Sequence, residues 1–410
     1  MKRIFRGGEW VAPFAFLFIL PITHTTPLRV LLLVVSLVWA IATFKRRRPI
    51  VLPANYLICA LIYWVAVCVV LSIHSVDPSY SWGEFRNEVF STVCAFGIFF
   101  VVTDSDRIRR IWKIALLASF GTICALALFS YVRTDDWLRS SLVGDRNAYS
   151  TYVVLIFPFL VFLWTRTAAA DRARRLAVGG AMLLGLISAA FTQNRNLWFA
   201  IGCELLVWSL LVYFRLVPEV RRRLRPHFLA VGFVCAIGFA GAFAYVIYSK
   251  ALVSNMTPES QARFDQDPRF EIWAYAVDRI AERPWLGHGY GRGILRSDFR
   301  THFNNPLKWH GHNIVINYFI EGGLLGGTAI LALFAALFAQ SWALYRKPEV
   351  DTWQHGAWAL VMLVGISLKI MTDDILVRDN ALLFWSTLGI IFGSCVRKGR
   401  VDPVAAGRRA

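Results

Sequence analysis

Apolar residues along this chain come in blocks of roughly 17 to 23, separated by short polar connections, and such blocks match the length that crosses a hydrocarbon core about 30 Å thick. They predict about 12 transmembrane helices, over residues 10–25, 27–44, 52–73, 87–103, 111–131, 148–165, 174–192, 195–214, 228–248, 322–345, 353–371 and 380–396. Only 17% of the residues are charged, against about 25% in an average soluble chain. The expected fold class is therefore all-α, a polytopic integral membrane protein. The N-terminus, "MKRIFRGGEWVAPFAFLFILP", has the basic start and apolar core of a signal peptide. No small-residue cleavage site follows, and the segment is expected to remain as the first span.

Basic residues cluster in every second connection, as in "KRRR" at 45–48, "RIRR" at 107–110 and "RRRLR" at 221–225. By the positive-inside rule those connections face the cytoplasm, so both termini are cytoplasmic and the long segment 249–312 lies on the far side. Four regions follow: residues 1–248 with the first nine spans, an exterior loop and helical subdomain at 249–321, the last three spans at 322–397, and a cytoplasmic tail at 398–410. The net charge of +18 is spread over these short clusters. It reads as topology and acidic-lipid contact, and no nucleic-acid partner is expected. All seven cysteines fall inside apolar blocks, with no CxxC or Cys/His metal spacing. Neither a metal nor another cofactor is expected.

The exterior segment contains "DPRFEIWAYAVDRIAERPWLGHGYGRG" at 267–293. Phe270, Trp273, Val277 and Ile280 repeat at helical spacing and predict an amphipathic helix with a narrow apolar stripe. Asp267 and Pro268 start it, and Pro284 with Gly287 stops it. The "GHGYGRG" at 287–293 reads as a flexible turn, with phosphate cradling by backbone N–H groups as the less favoured alternative. "GGLLGG" at 322–327 reads as a helix-packing face, through the pairs Gly322/Gly326 and Gly323/Gly327.

Ionisable residues deep in the spans are few, with Glu204 and Lys369 the clearest; these and Asp373 and Asp374 receive no role. A proton-coupled pump or ion channel would carry more charge at the midplane. The charges gather instead at the exterior ends of the spans. Arg86 follows the third span, Asp145, Arg146 and Asn147 precede the sixth, and Arg195 occupies the tight turn before the eighth. Arg269, Lys308, His310 and His312 lie in the long loop. Arg195 either snorkels to lipid phosphate or holds a substrate phosphate through its planar fork. Arg269 either pairs with Glu271 or Asp265 or serves the same end. Arg86, Arg146 and Lys308 are weaker phosphate candidates beside a reading as solvated loop charge. His310 and His312 would diverge by about 200° on a helix, which argues against a shared metal. An interfacial histidine is a hydrogen-bonded structural residue or a general base at neutral pH. Asn313 or His312 is also placed to cap the helix that follows.

Three stretches in this order, "TQNRNLWFA", "DPRFEIWAYAVDRIAERPWLGHGYG" and "HGHNIVINYFIEGGLLG", together with "GDRNAYSTYVVLIFPF" at 144–159, resemble the O-antigen ligase family. That family is related to O-antigen polymerases and bacterial protein O-oligosaccharyltransferases. The resemblance covers most of residues 130–330; Asn194 stands where the family commonly has a serine. It implies a C-type glycosyltransferase architecture and a metal-independent inverting transfer. The implied partners are an undecaprenyl diphosphate-linked glycan donor and a lipid A–core acceptor, in the bacterial inner membrane with the active site facing the periplasm. It further implies His312 as the base and Arg195 and Arg269 as diphosphate-handling residues; Arg86, Arg146, Lys308, His310 and Asn313 are weaker substrate-contact candidates from their position alone. A polymerase or a protein-directed transferase is the alternative within the enzymes. A lipid or saccharide exporter is the alternative outside them, and it would place charged or broken helices near the midplane.

Overall fold

The structure, a computed structural model, describes residues 10–46, 54–103, 105–134, 144–167, 170–192, 194–216, 268–306, 308–371, 374 and 376–396. The expected ninth span at 228–248, the first part of the exterior loop, Asp373 and the 398–410 tail lie outside the described residues. All regular structure described is helical. The chain runs through α1 (Val11–Ile19), α2 (Thr26–Arg46), α3 (Asn55–Ile73) and α4 (Pro78–Glu84), then a π-helical turn (Phe85–Phe90) into α5 (Ser91–Val102). It continues through α6 (Asp106–Thr134), α7 (Arg146–Arg166), α8 (Arg172–Phe191) and α9 (Arg195–Arg215). After the undescribed stretch come α10 (Pro268–Glu282), α11 (Arg296–Phe303), α12 (Ile314–Tyr345), α13 (Val350–Ile370) and α14 (Arg378–Val396).

Eight helical segments among the described residues are long and apolar enough to cross a membrane. The chain is a multi-pass membrane protein. Three expected spans within the described residues are not among the eight: α13 and α14, over the last two, fall short in apolar character, and α1 has nine residues and rises about 14 Å, too short for a crossing. The expected fourth span begins earlier than its apolar run, because Pro78–Val102 is one helical segment through the π-turn. Outward-facing Leu31, Val34, Val38 and Phe44 leave α2 with an exposed apolar face, which suits contact with lipid tails rather than water.

The middle of the bundle is α7, buried without interruption from Tyr149 to Leu163, and α13, buried from His355 to Leu363. α9 and α13 pack together, as do α5 and α14. Gly322 and Gly326 of α12 face Leu71 of α3; a Cβ on Gly322 would lie 2.4 Å from Leu71 Cδ1. The glycine-rich stretch is thus a packing face, as its spacing predicts. It is also a break. Gly323 has φ 55° and ψ −143°, which interrupts the helix.

A break inside a membrane protein frees backbone groups that lipid cannot satisfy, and residues 284–291 satisfy them here. Leu324 and Leu325 donate to the carbonyls of Pro284 and Trp285, at 2.7 and 3.2 Å. In return His288 and Gly289 donate to the carbonyls of Ile320 and Glu321, at 3.0 and 2.8 Å. Gly291 N–H then meets Glu321 Oε2 at 3.0 Å. "GHGYGRG" is therefore a wedge whose residues 287–291 are buried, and the expected flexible turn is corrected. Two glycines make this approach possible. A Cβ on Gly287 (φ +60°) would fall 2.4 Å from the Glu321 carbonyl, and one on Gly323 would fall 2.4 Å from the Pro284 oxygen.

α10 forms where the pattern predicts a helix, but its buried stripe is displaced. Ile272 and Ala276 are buried against Leu295, Phe299 and Ile320, with Trp273 and Ile280 beside them, while Val277 is 60% exposed. The spacing argument admitted only a narrow stripe; docking against α11 and α12 widened it by one helix position.

Gly323→Ala is expected to destabilise the protein by roughly 1–3 kcal/mol, since it adds left-handed strain and a clash with the Pro284 carbonyl. Gly180→Ala meets open space and should be neutral or slightly stabilising. Thermal unfolding of both variants in detergent measures this, and equal melting temperatures would contradict the wedge.

Candidate active site

Three helices start at the same place, and their first residues build it. Asp145 caps α7 by accepting the Ala148 amide at 2.7 Å. Asn194 caps α9 by accepting Leu197 N–H at 3.3 Å. Asn313 caps α12 by accepting from Val315 and Ile316, at 2.9 and 3.2 Å. Each cap satisfies amides that have no partner inside their own helix. The capping role left open between Asn313 and His312 belongs to Asn313. Its amide also donates to the Met371 carbonyl at 3.0 Å, joining the mouth of α12 to the end of α13.

Before Asn313 the chain is not helical, so the 200° divergence does not apply. His312 takes φ 47°, and the chain doubles back until the His310 and His312 rings lie 4.0 Å apart, centre to centre. The His312 N–H donates to His310 Nδ1 at 3.0 Å, which leaves the His310 proton on Nε2. His310 is 4% exposed. Burial, then the neighbouring His312, Arg292 and Arg296, push its pKa down to about 2. It is a neutral support for the bend. Gly311 is held from two sides, its N–H by Asn317 Oδ1 at 2.8 Å and its carbonyl by Trp273 Nε1 at 2.9 Å. The second bond comes from α10, so the exterior helix grips the strained turn directly.

His312 opens onto a cavity of about 500 Å³. Its walls are the loop residues Arg292, Trp309, His310 and His312, Asp145, Asn147, Tyr149 and Tyr152 at the start of α7, and Asp374 and Val377 to Asn380 at the start of α14. Pro21 and Thr23 of the α1–α2 turn close one side. These are connections that the charge pattern puts on one face of the membrane. The opposite helix ends meet each other elsewhere: Arg166 pairs with Asp351, and Arg215 donates to the Lys347 carbonyl at 3.1 Å.

The expected site residues divide into two groups. His310 and His312 line the cavity. Arg195 and Arg269 are not among the residues lining it. Arg195 is exposed as the first residue of α9. The preceding Asn194 donates to Asn147 Oδ1, a cavity residue, at 2.9 Å and to Ser150 Oγ at 3.1 Å. The same Asn194 accepts Lys369 Nζ at 3.3 Å, so the buried lysine helps lock α7, α9 and α13 together. Arg269 is partly buried, one turn ahead of Trp273 and on the same side of α10. Glu271 forms its ion pair with Lys308, at 3.0 Å, which places Lys308 in the docking of α10. Arg146 is partly buried between two cavity residues, and its Nε has no partner. Arg86 is exposed in the π-turn and lies off the cavity.

Two cavity arginines escaped the sequence reading. Arg292 donates to the Asp374 carbonyl at 2.6 Å and lies 5.0 Å over the Trp309 ring. Its only signal was its place in "GHGYGRG". Arg378 opens α14 and carries no motif. Glu204 is buried against Gly365 with both oxygens unpartnered, away from the cavity lining. Among the described residues, no group of three or more His, Cys, Asp or Glu side chains is placed to hold a metal ion.

The depressed His310 value has a testable sign. Below pH 6.5 the unfolded chain takes up a proton that the folded chain refuses until about pH 2. The stability that His310 contributes is therefore complete above pH 6.5 and declines as the pH falls toward 2. His310→Asn, which never titrates, should show a shallower loss of melting temperature between about pH 7 and pH 4.5; identical slopes would exclude a buried neutral His310.

Residues 180–331 match the O-antigen ligase family model, a stretch holding Arg195, Arg269, Arg292 and His312. Over 172 residues the chain is 34% identical to an O-antigen ligase of Pseudomonas aeruginosa, covering 40% of this chain and 37% of that protein. Over 202 residues it is 23% identical to a ComP-specific O-oligosaccharyltransferase of Acinetobacter baylyi, covering 47% of this chain and 33% of that protein. The matched regions thus span only about a third of each relative's length.

Proposed function

We propose that this chain, with its O-antigen ligase domain at residues 180–331, transfers a glycan from undecaprenyl diphosphate to a sugar hydroxyl of lipid A–core, on the periplasmic face of a bacterial inner membrane. The observation that carries the reading is the cavity itself. It sets a strained histidine beside arginines at one end of a membrane bundle, the height at which two lipid-anchored substrates would present their head groups.

The reaction is a single displacement. The acceptor oxygen attacks the anomeric carbon while the bond from that carbon to the diphosphate oxygen breaks, inverting the anomeric centre. His312 takes the acceptor proton. His310 is unsuited to that role, because a pKa of about 2 makes it a weak base. The departing diphosphate gains charge that nearby guanidinium groups neutralise by charge-assisted hydrogen bonds. Arg292 is oriented for this within the cavity, and Arg195 and Arg269 complete the set. Positioning two anchored substrates in register lowers the barrier further.

A second reading, transfer to a protein hydroxyl, is favoured by the Acinetobacter relative, which is named for ComP. Both use the same donor chemistry and base. Removing the chain from its host separates them. Full-length glycan left on undecaprenyl diphosphate with bare lipid A–core supports the ligase. Intact lipopolysaccharide with an unmodified glycoprotein supports the second reading, core bearing one repeat indicates a polymerase, and donor trapped on the cytoplasmic face indicates an exporter. His312→Ala should lower transfer by about 10²–10⁴-fold in a chain that still folds; wild-type turnover would remove the base assignment.

A further inference from the structure

The cavity's charges are unevenly committed. Its carboxylates are engaged by the protein: Asp145 by the Ala148 amide, Asp374 by Asn317 Nδ2 and Asp379 by an ion pair with Arg29. Its arginines form no ion pair among the described residues, although the Glu88 carboxylate lies within electrostatic reach of both Arg292 and Arg378. Arg292 uses one N–H on the Asp374 carbonyl, out of the five a guanidinium offers. Arg378 is freer still. Its backbone N–H donates to Glu88 Oε2 at 2.7 Å, but its exposed guanidinium makes no hydrogen bond or ion pair among the described residues. It nevertheless lines the same cavity as His312. Its φ is 47°, a backbone conformation that costs of order 1 kcal/mol or more outside glycine and asparagine.

We propose that Arg378 forms a second phosphate-binding position in this cavity, contacting a phosphate of one of the two substrates while His312 acts at the reacting oxygen. The inference rests on the transfer reaction described above. Phosphate is the class, because an uncommitted guanidinium fork matches two of its oxygens at once. The space suffices: about 500 Å³ falls within the usual range of roughly 300–1,000 Å³ for small-molecule sites. Arg378 also lies beyond residue 331, where the family match ends. That match therefore says nothing of this wall. The phosphate belongs either to the prenyl diphosphate of the donor or to a phosphorylated lipid acceptor.

The test uses the full chain in nanodiscs of zwitterionic lipid, with farnesyl diphosphate as the donor-side probe and monophosphoryl lipid A as the acceptor-side probe. Arg378→Asn removes the charge while keeping a residue that tolerates the left-handed backbone, so its melting temperature should equal or exceed wild type. Its affinity for at least one probe should fall about tenfold or more, the usual loss for a charge-assisted contact, and the probe affected identifies the source. Arg378→Lys should recover part of the loss. Unchanged binding of both probes by Arg378→Asn overturns the inference. A parallel transfer assay on the wild-type chain keeps the two readings apart. Absent transfer with weakened probe binding would defeat the reaction and leave the anion site standing. Normal transfer with unweakened binding would defeat the anion site alone.

Discussion

The interruption of α12 at Gly323 sets the arrangement of the end of this molecule that carries the cavity. In a hydrocarbon environment a broken helix leaves N–H and C=O groups that only protein can satisfy. Residues 284–291 do so by a reciprocal exchange with Ile320–Leu325, and this fastens the long loop to the bundle at one definite place. α10 precedes the wedge and docks on Ile320 through Ile272 and Ala276. Arg292 follows it and is delivered to the cavity. A backbone requirement of the membrane thereby becomes a means of positioning side chains.

Around that anchor the site is built from helix beginnings. Asp145, Asn194 and Asn313 are caps, and a cap turns its neighbours toward the end of the bundle. The neighbours are polar: Arg146 and Asn147, Arg195, and His312. Helix starts also offer partly positive backbone amides, so the region favours anions even before its arginines are counted. His310, held neutral by burial and by the neighbouring His312, Arg292 and Arg296, adds no further positive charge to the mouth while it shapes the turn that carries His312.

The chemistry fits this electrostatic setting. A diphosphate leaving group needs positive charge that does not wander, and Arg292 is held by a carbonyl and an aromatic face. A base needs an imidazole that is not fully withdrawn from substrate, and His312 is partly exposed while His310 is not. The two histidines are near neighbours in sequence and line one cavity, yet His310 is buried and His312 is partly exposed.

Much was determined by the sequence alone. Apolar block length set the membrane class, and alternation of basic connections grouped the loops that meet at the cavity, because both effects act locally along the chain. Proline and asparagine placed the ends of α10 and α12, and order and spacing of short motifs pointed to His312. Tertiary structure decided what depends on long-range contact. The apolar run at 10–25 became a nine-residue helix and a turn, "GHGYGRG" became a buried wedge, and the α10 stripe moved off Val277. Arg292 and Arg378 joined the cavity lining while Arg195 and Arg269 did not. No local pattern encodes these outcomes: whether a glycine bends freely or is pinned, and whether an arginine meets solvent or a cavity, depends on what the rest of the chain packs against it.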